Sequence, residues 1–467
     1  MKMRKLFLSL LISGASLGSV AAQELITTAP APATNEPATR DASRHIGDEI
    51  VPAVAGRGSR IADGVEDASP TDLSYIAPAA MNFQATPQSA YCEGAWDSSA
   101  GRSACAPCND YSPGWWFGAE SLLWWGQNRN APPLMTTSAT QVLPIAGDPG
   151  VETVAGGIDG ISSGILPGYR FSAGRYFGCD QRVGVSGRVF GIFDKNNSTT
   201  RSADGANGSI GLPFFNPLIP PQGANDAYLV AFNDGQPFAT GTASVNSSLS
   251  LLAADASLRY LVGRSCDHHI DLLGGYTFLR LQDSLGVTSH SVDQDTGNIT
   301  PDGTVFDTND LFDAKNTFHG GHFGLQSTIV RKRLSLTTLT KFSLGSMQEN
   351  VSINGSTSVG LPPADPTVTA GGVYSQQSNI GNFSRNTFAF IPEVGVKGGL
   401  LVRNNIQLTA GYTFLYISKA ALAGNQIDSV IDLTQSQGGL PGNQPAFNYR
   451  EGSMWFQGLD LGMNWSF

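Results

Sequence analysis

Long apolar runs are scarce in this chain. Past its first two dozen residues no stretch of ~18 apolar residues occurs, so no helical membrane span is available there. Positive charge is scarce too. Lys and Arg number 28 against 38 Asp and Glu, a net charge of −10, which argues against nucleic acid, whose phosphates need a basic footprint. Cysteine is limited to 5 residues. Neither a Gly-x-Ser-x-Gly elbow nor a His-Glu-x-x-His helix motif occurs, so two common hydrolase layouts are missing. Glycine and aromatics are plentiful instead: 55 Gly, 24 Phe, 12 Tyr and 7 Trp. That balance suits a membrane β-barrel, whose strands are half polar and so escape hydropathy scales.

The N-terminus predicts export. Lys2, Arg4 and Lys5 precede an apolar stretch over 6–20, and Val20, Ala21 and Ala22 form a small-residue cleavage site before Gln23. Losing the signal peptide (1–22) removes three positive charges and no negative ones, leaving a mature charge of about −13. Residues 23–112 are expected to be a disordered periplasmic tether. Its start is rich in Pro, Ala and Thr, and it buries too little apolar surface to offset ordering entropy.

From about residue 113 onward, strand patterns recur. The C-terminal end alternates without a fault: Leu459, Leu461, Met463, Trp465 and Phe467 share one face, and Gly458, Asp460, Gly462, Asn464 and Ser466 the other. Similar alternation marks 115–125, 169–174, 182–189, 254–260, 270–278, 322–329, 334–344, 388–397 and 406–416. Four joins are very short (178–181, 263–268, 331–333 and 403–405). Those between them are long (127–163, 194–248, 282–316, 348–386 and 418–450). This strict short–long rhythm predicts an all-β fold: a closed antiparallel up-and-down transmembrane barrel over 113–467, of about ten strands, with twelve as the alternative. The short turns and both barrel ends would then lie in the periplasm.

Ile270 to Leu279 recurs weakly as Ile406 to Leu415, through a shared Gly-Tyr-Thr-Phe-Leu. Tyr276, Phe278, Tyr412 and Phe414 suit an outer aromatic girdle. The segment from Trp116 to Trp125, the repeated Gly-Tyr-Thr-Phe-Leu and the ending from Trp455 to Gly462 resemble the planctomycete proteins catalogued as putative beta-barrel porins, the seventh such family. The resemblance covers about 114–467. It implies outer-membrane location and barrel architecture, and a pore by name only, with no catalytic or binding residues to transfer.

Polar parity places eleven charges toward the lumen: Arg170, Arg182, Arg188, Arg259, Lys341 and Lys397 against Glu120, Asp255, Asp271, Glu393 and Asp460. On the lipid side each would cost ~2–4 kcal/mol at the midplane. Near-balanced signs in a ten-strand barrel predict pairing across a plugged or very narrow lumen, with a small-solute channel as the alternative. The third long join is acidic (Asp283, Asp293, Asp295, Asp302, Asp307, Asp310 and Asp313) and is expected to be a solvated loop. Asp293 and Asp295 begin like a calcium loop without its spacing, so no cofactor is expected beyond that weak calcium option. Cys92, Cys105 and Cys108, and the turn cysteines Cys179 and Cys266, are disulfide candidates in an oxidising compartment. His319 and His322 near Asp310 and Asp313 could form a water-activating dyad, but their opposite parity separates them, and no enzyme is expected.

The functional expectation is an exported cell-outer-membrane barrel, carried by the general secretory route. It would serve porin-like passage of small solutes or a structural surface role. A non-conducting adhesion or ligand-binding barrel acting through its long loops is the alternative, and a secreted soluble β-domain the third reading. Outer-membrane lipid and the barrel assembly machinery are the expected partners, with Leu459, Leu461, Met463, Trp465 and Phe467 as the terminal assembly signal. The sequence carries no signal of oligomeric state.

Overall fold

A computed structural model describes residues 114–467 other than 178–180, 236, 266, 295–300, 361–362, 433 and 436–442. The signal segment, the tether, Cys92, Cys105, Cys108, Cys179, Cys266 and Asp295 lie outside the described residues. In chain order the strands are β1 (Trp116–Gly126), β2 (Arg129–Ser138), β3 (Val151–Ile161), β4 (Ile165–Phe177) and β5 (Val183–Ala203). Then come β6 (Ser209–Asn216), β7 (Ala224–Asn233), β8 (Pro237–Arg264), β9 (His268–Asp293) and β10 (Val305–Arg331). The last are β11 (Leu334–Gly360), β12 (Thr367–Ala370), β13 (Gly381–Arg403), β14 (Ile406–Ala421) and β15 (Glu451–Ser466).

A ring of 10 strands closes on itself. β1 pairs with β15 on one side and β4 on the other, and the ring continues through β5, β8, β9, β10, β11, β13 and β14 back to β15. Every pairing is antiparallel, and each of the ten segments marked by alternation lies in the ring. The seam is zipped end to end: Trp116 stands opposite Ser466 and Gly126 opposite Phe456. Beyond it, the Phe467 amide donates to the Trp115 carbonyl at 2.9 Å and the Gly114 amide to the Phe467 carbonyl at 2.8 Å. Closure leaves no edge in lipid, where an unpaired backbone group would go unsatisfied.

The ring strands outrun any membrane. β10 and β11 are 27 residues each and pair in register from Val305 opposite Gly360 down to Arg331 opposite Leu334. At ~3.4 Å per residue such a strand is about 90 Å long, whereas the outer apolar band of these barrels is ~25 Å tall. The side chains change over accordingly. Near the short turns β11 turns Leu334, Leu336, Phe342 and Leu344 outward, all exposed, and buries Lys341 and Ser343 inward. Further along, Met347, Val351 and Ile353 are the buried ones, and Asn350, Ser352 and Asn354 take the opposite parity. β9 inverts likewise: Leu272 and Tyr276 are exposed below, while Leu279, Leu281, Leu285 and Val287 are buried above.

This inversion corrects the long joins of the sequence reading. Much of 194–248, 282–316 and 348–386 is ring strand, and the connection between β9 and β10 shrinks to 294–304. The acidic join is accordingly no solvated loop: Asp283, Asp293 and Asp310 are buried on the wall strands. The remaining connections fold into structure. β2, β3, β6 and β7 form a second sheet joined to the ring through β8, and β12 pairs with β11.

Glycine on the inner face lets large neighbours lie flat. Gly458 stands opposite Trp124, and a Cβ there would sit 2.3 Å from the Leu123 carbonyl oxygen and 2.5 Å from the Trp124 Cα. On the outer face of β9, a Cβ on Gly274 would meet nothing within 4 Å. Gly458→Val should therefore lower the yield of folded, heat-modifiable barrel severalfold on gels, and Gly274→Ala should leave it unchanged.

Candidate functional site in the barrel interior

Inside the ring, three layers succeed one another from the short-turn end. The first is ionic. Arg170 on β4 donates through Nη1 to Glu120 on β1 and to Asp460 on β15, 2.8 Å each. Lys397 on β13 pairs with Glu120, and Thr413 on β14 donates to Asp460. Across the lumen, Arg188 on β5 binds Asp255 on β8 through Nε at 2.9 Å and Glu393 on β13 through Nη2 at 2.6 Å. Lys341 on β11 reaches the same two acids at 2.8 and 3.0 Å. Nearer the turns, Arg259 donates to Asp271 at 2.8 Å, and so does the Tyr176 hydroxyl. Arg182 precedes β5 and is exposed at the rim. Charges taken out of water need such partners, since a lone buried ion carries a desolvation penalty of several kcal/mol.

A relay that the sequence reading missed adjoins this layer. His322 is buried on β10. Its Nε2 lies 2.9 Å from the Ser257 hydroxyl and its Nδ1 2.9 Å from that of Thr277, which itself donates to Asp255 at 2.8 Å. The single Thr277 proton is committed to Asp255, so His322 donates from Nδ1 and accepts from Ser257 at Nε2. His319 faces outward, 2.5 Å from the Tyr276 hydroxyl, so the two histidines occupy opposite faces. Polar residues spaced two apart on one strand, as Asp255 and Ser257 are on β8, would have been the signal for this relay.

The second layer is apolar and draws on all ten ring strands. Leu122 and Trp124, Leu166, Phe190, Leu251, Leu281, Phe318, Met347, Ile391, Leu415 and Phe456 form one cluster. The layers are stitched together. The Trp124 indole donates to Asp460 at 2.8 Å, and the guanidinium groups of Arg170 and Arg188 lie 5.5 and 4.9 Å from the Phe190 ring centre.

The third layer is the inward-folded head. Leu134 and Met135 of β2, Ile210, Leu212 and Phe214 of β6, Tyr228 and Val230 of β7, Tyr374, Ile427 and Ile431 pack on Val245, Leu285, Val287, Phe312, Val351 and Ile353 of the wall. Buried polar latches hold it. Arg129 pairs with Asp283, whose other oxygen accepts from the Ala423 amide at 2.9 Å. Asn316 bonds both the amide and the carbonyl of Ala421. Asp310 accepts from the amides of Val373, Tyr374 and Ser375 at 3.0, 2.9 and 2.7 Å, and from the Ser375 hydroxyl at 2.6 Å. Burial raises the pKa of the Asp310 carboxyl, against the pull of these four donors. Among the described residues no group of three or more His, Cys, Asp or Glu could hold a metal ion.

A closed antiparallel ring with an apolar outer belt and a paired-charge interior, its turns short at one end and its strands overlong at the other, defines an outer-membrane β-barrel protein. The family model described as putative beta barrel porin-7 matches residues 116–467. The chain belongs to that family. No curated protein matches it. Among solved structures it is similar to the outer membrane protease OmpT from Escherichia coli, at 10% identity over 77% of this chain and 100% of that one, TM-score 0.37. A Pseudomonas aeruginosa FadL homologue follows at 7% identity over 76% and 90%, TM-score 0.22. The P. putida toluene transporter TodX has the same identity and coverage, TM-score 0.19.

Removing one partner from the ionic layer strands a buried charge. Glu393→Gln should cost about 3–5 kcal/mol of stability, measured by urea unfolding of the folded barrel. Asp310→Ala leaves three buried amides without an acceptor. It should loosen the 371–379 segment by at least about 2 kcal/mol, seen as limited proteolysis there while the ring stays heat-modifiable.

Proposed function

We propose that this protein is a non-conducting outer-membrane barrel that carries a plugged head above the lipid, in a structural or ligand-presenting surface role. One observation carries the reading: all ten strands contribute to one continuous apolar layer across the lumen. Such a layer opposes passage of hydrated solutes, because each polar group entering it would lose its water without gaining a partner. The ionic layer beneath it and the latched head above it support the same reading.

Export runs through the general secretory route by way of residues 1–22. The barrel assembly machinery takes the terminal strand by Leu459, Leu461, Met463, Trp465 and Phe467. Phe467 suits that role, since its side chain is 73% exposed beside Phe117. Outer-membrane lipid covers the apolar belt. The reading is of a binding or structural barrel and not an enzyme, which the placement of His319 and His322 on opposite faces supports. The reading involves no calcium at Asp293 and Asp295.

Planar-bilayer recording tests it. Folded protein inserted into a bilayer should show no discrete conductance steps. Steps of a defined size would sink the reading and restore porin-like passage of small solutes. Deleting Phe467 should cut the amount of folded barrel in outer-membrane fractions severalfold, with the unfolded chain accumulating in the periplasm.

A further inference from the structure

The lumen below the ionic layer is a cup open toward the short-turn end. Its volume is about 280 Å³, at the lower end of the ~300–1,000 Å³ range of small-molecule sites. We propose that this cup binds a small hydroxylated anion of about sugar size, bearing a carboxylate or phosphate, from the periplasm. The site stands whether or not the lumen conducts.

Charge is the first argument. Arg259, Arg264 and Lys397 line the cup, and among the described residues no carboxylate does. The acids that pair with Arg259 and Lys397 share the lumen with them but are closed to solvent: Asp271 is 0% exposed and Glu120 is 6% exposed. The cup therefore presents cationic groups whose balancing charges are set back from it, and low-dielectric walls focus that field. Arg259 is nine-tenths buried and bonds Asp271 through Nη2, so Arg264 and Lys397 are the cations a ligand reaches first.

The neutral lining is the second argument. Gln326, Gln407 and Asn464 bring amide groups into the cup from three different strands; Gln407 donates to Ser335 at 2.8 Å and accepts from Asn464 at 3.5 Å, and each amide keeps a further donor and acceptor position. Such a fence satisfies hydroxyls in several orientations. The third argument is shape. The rings of Trp116 and Tyr176 flank Arg259, each centre 5.7 Å from the guanidinium carbon. Those rings lie flat against Gly174 and Gly184, so they wedge the guanidinium in place and leave the volume of the cup to set the size of the ligand.

Isothermal titration calorimetry on the folded full chain tests the proposal, with glucose 6-phosphate, glucuronate, inorganic phosphate and glucose as probes. The two sugar anions should bind saturably, one per chain, and glucose about ten-fold or more weaker, the discrimination expected of one charge-assisted hydrogen bond. Arg264→Gln and Gln407→Leu should each weaken glucuronate by about five- to ten-fold while heat-modifiable migration is retained. Arg264 sits at the exposed rim, so that variant has little reason to misfold. The absence of saturable binding by either sugar anion, including because another segment of the chain fills the cup, would overturn the proposal. So would glucose binding as tightly as glucuronate, or binding unmoved by both variants. Inorganic phosphate binding as tightly as the sugar anions would overturn its hydroxyl part.

Discussion

Each long strand of this barrel meets two solvents in succession. Near the short turns its outer face lies in hydrocarbon, and further along the same face lies in water. A strand has only two faces, so what is apolar outside must become apolar inside once the lipid ends. β11 makes the change between Leu344, which faces out, and Met347, which is buried. The interior follows from that inversion. Where the outside is lipid the inside can hold charges. Where the outside is water the inside must be a core, and the connecting segments fold in to complete it. Ion pairs, apolar layer and head are thus three consequences of one boundary crossed by ten strands.

The same boundary sets what the sequence could reveal. Alternation found the ten membrane segments because apolar residues keep one parity there, as Phe323, Leu325 and Ile329 do in β10. It lost the strands where parity switches. After Phe278 the apolar residues become Leu279, Leu281 and Leu285, and a search following the first parity sees only Arg280, Gln282 and Ser284. The acidic join was misread for that reason: counting Asp residues cannot tell that Asp283, Asp293 and Asp310 fall on the inward parity of continuing strands. The head strands were hidden differently. β6 is buried on both faces and contains Pro213, and β2 contains Pro132 and Pro133, so neither shows the pattern or the composition of an ordinary strand. The lumen charges were the easiest part of the interior to foresee. What sequence could not supply was their pairing, because Arg188 and Glu393 are 205 residues apart and meet only across the closed ring.

The interior also separates two uses of charge. In the ionic layer the positive and negative groups are matched and nearly dry, and their worth lies in fixing which strands face one another across the lumen. In the cup below, Arg259 and Lys397 keep buried partners, and Arg264 stands exposed at the rim of an open space. The first arrangement suits permanence. The second resembles a site awaiting a ligand.

The head has one further consequence. Its segments enter from both sides of the seam: β2 follows β1 directly, and the turn Ala423–Gln426 lies between β14 and β15. The Asn130 carbonyl approaches Gly424 so closely that any side chain there would strike it at 2.2 Å. The two flanks of the seam thus clasp each other above the membrane as well as within it. Sealing the barrel and stoppering it become a single act, completed when the last strand arrives, so a ring left unzipped would also be a ring left unstoppered.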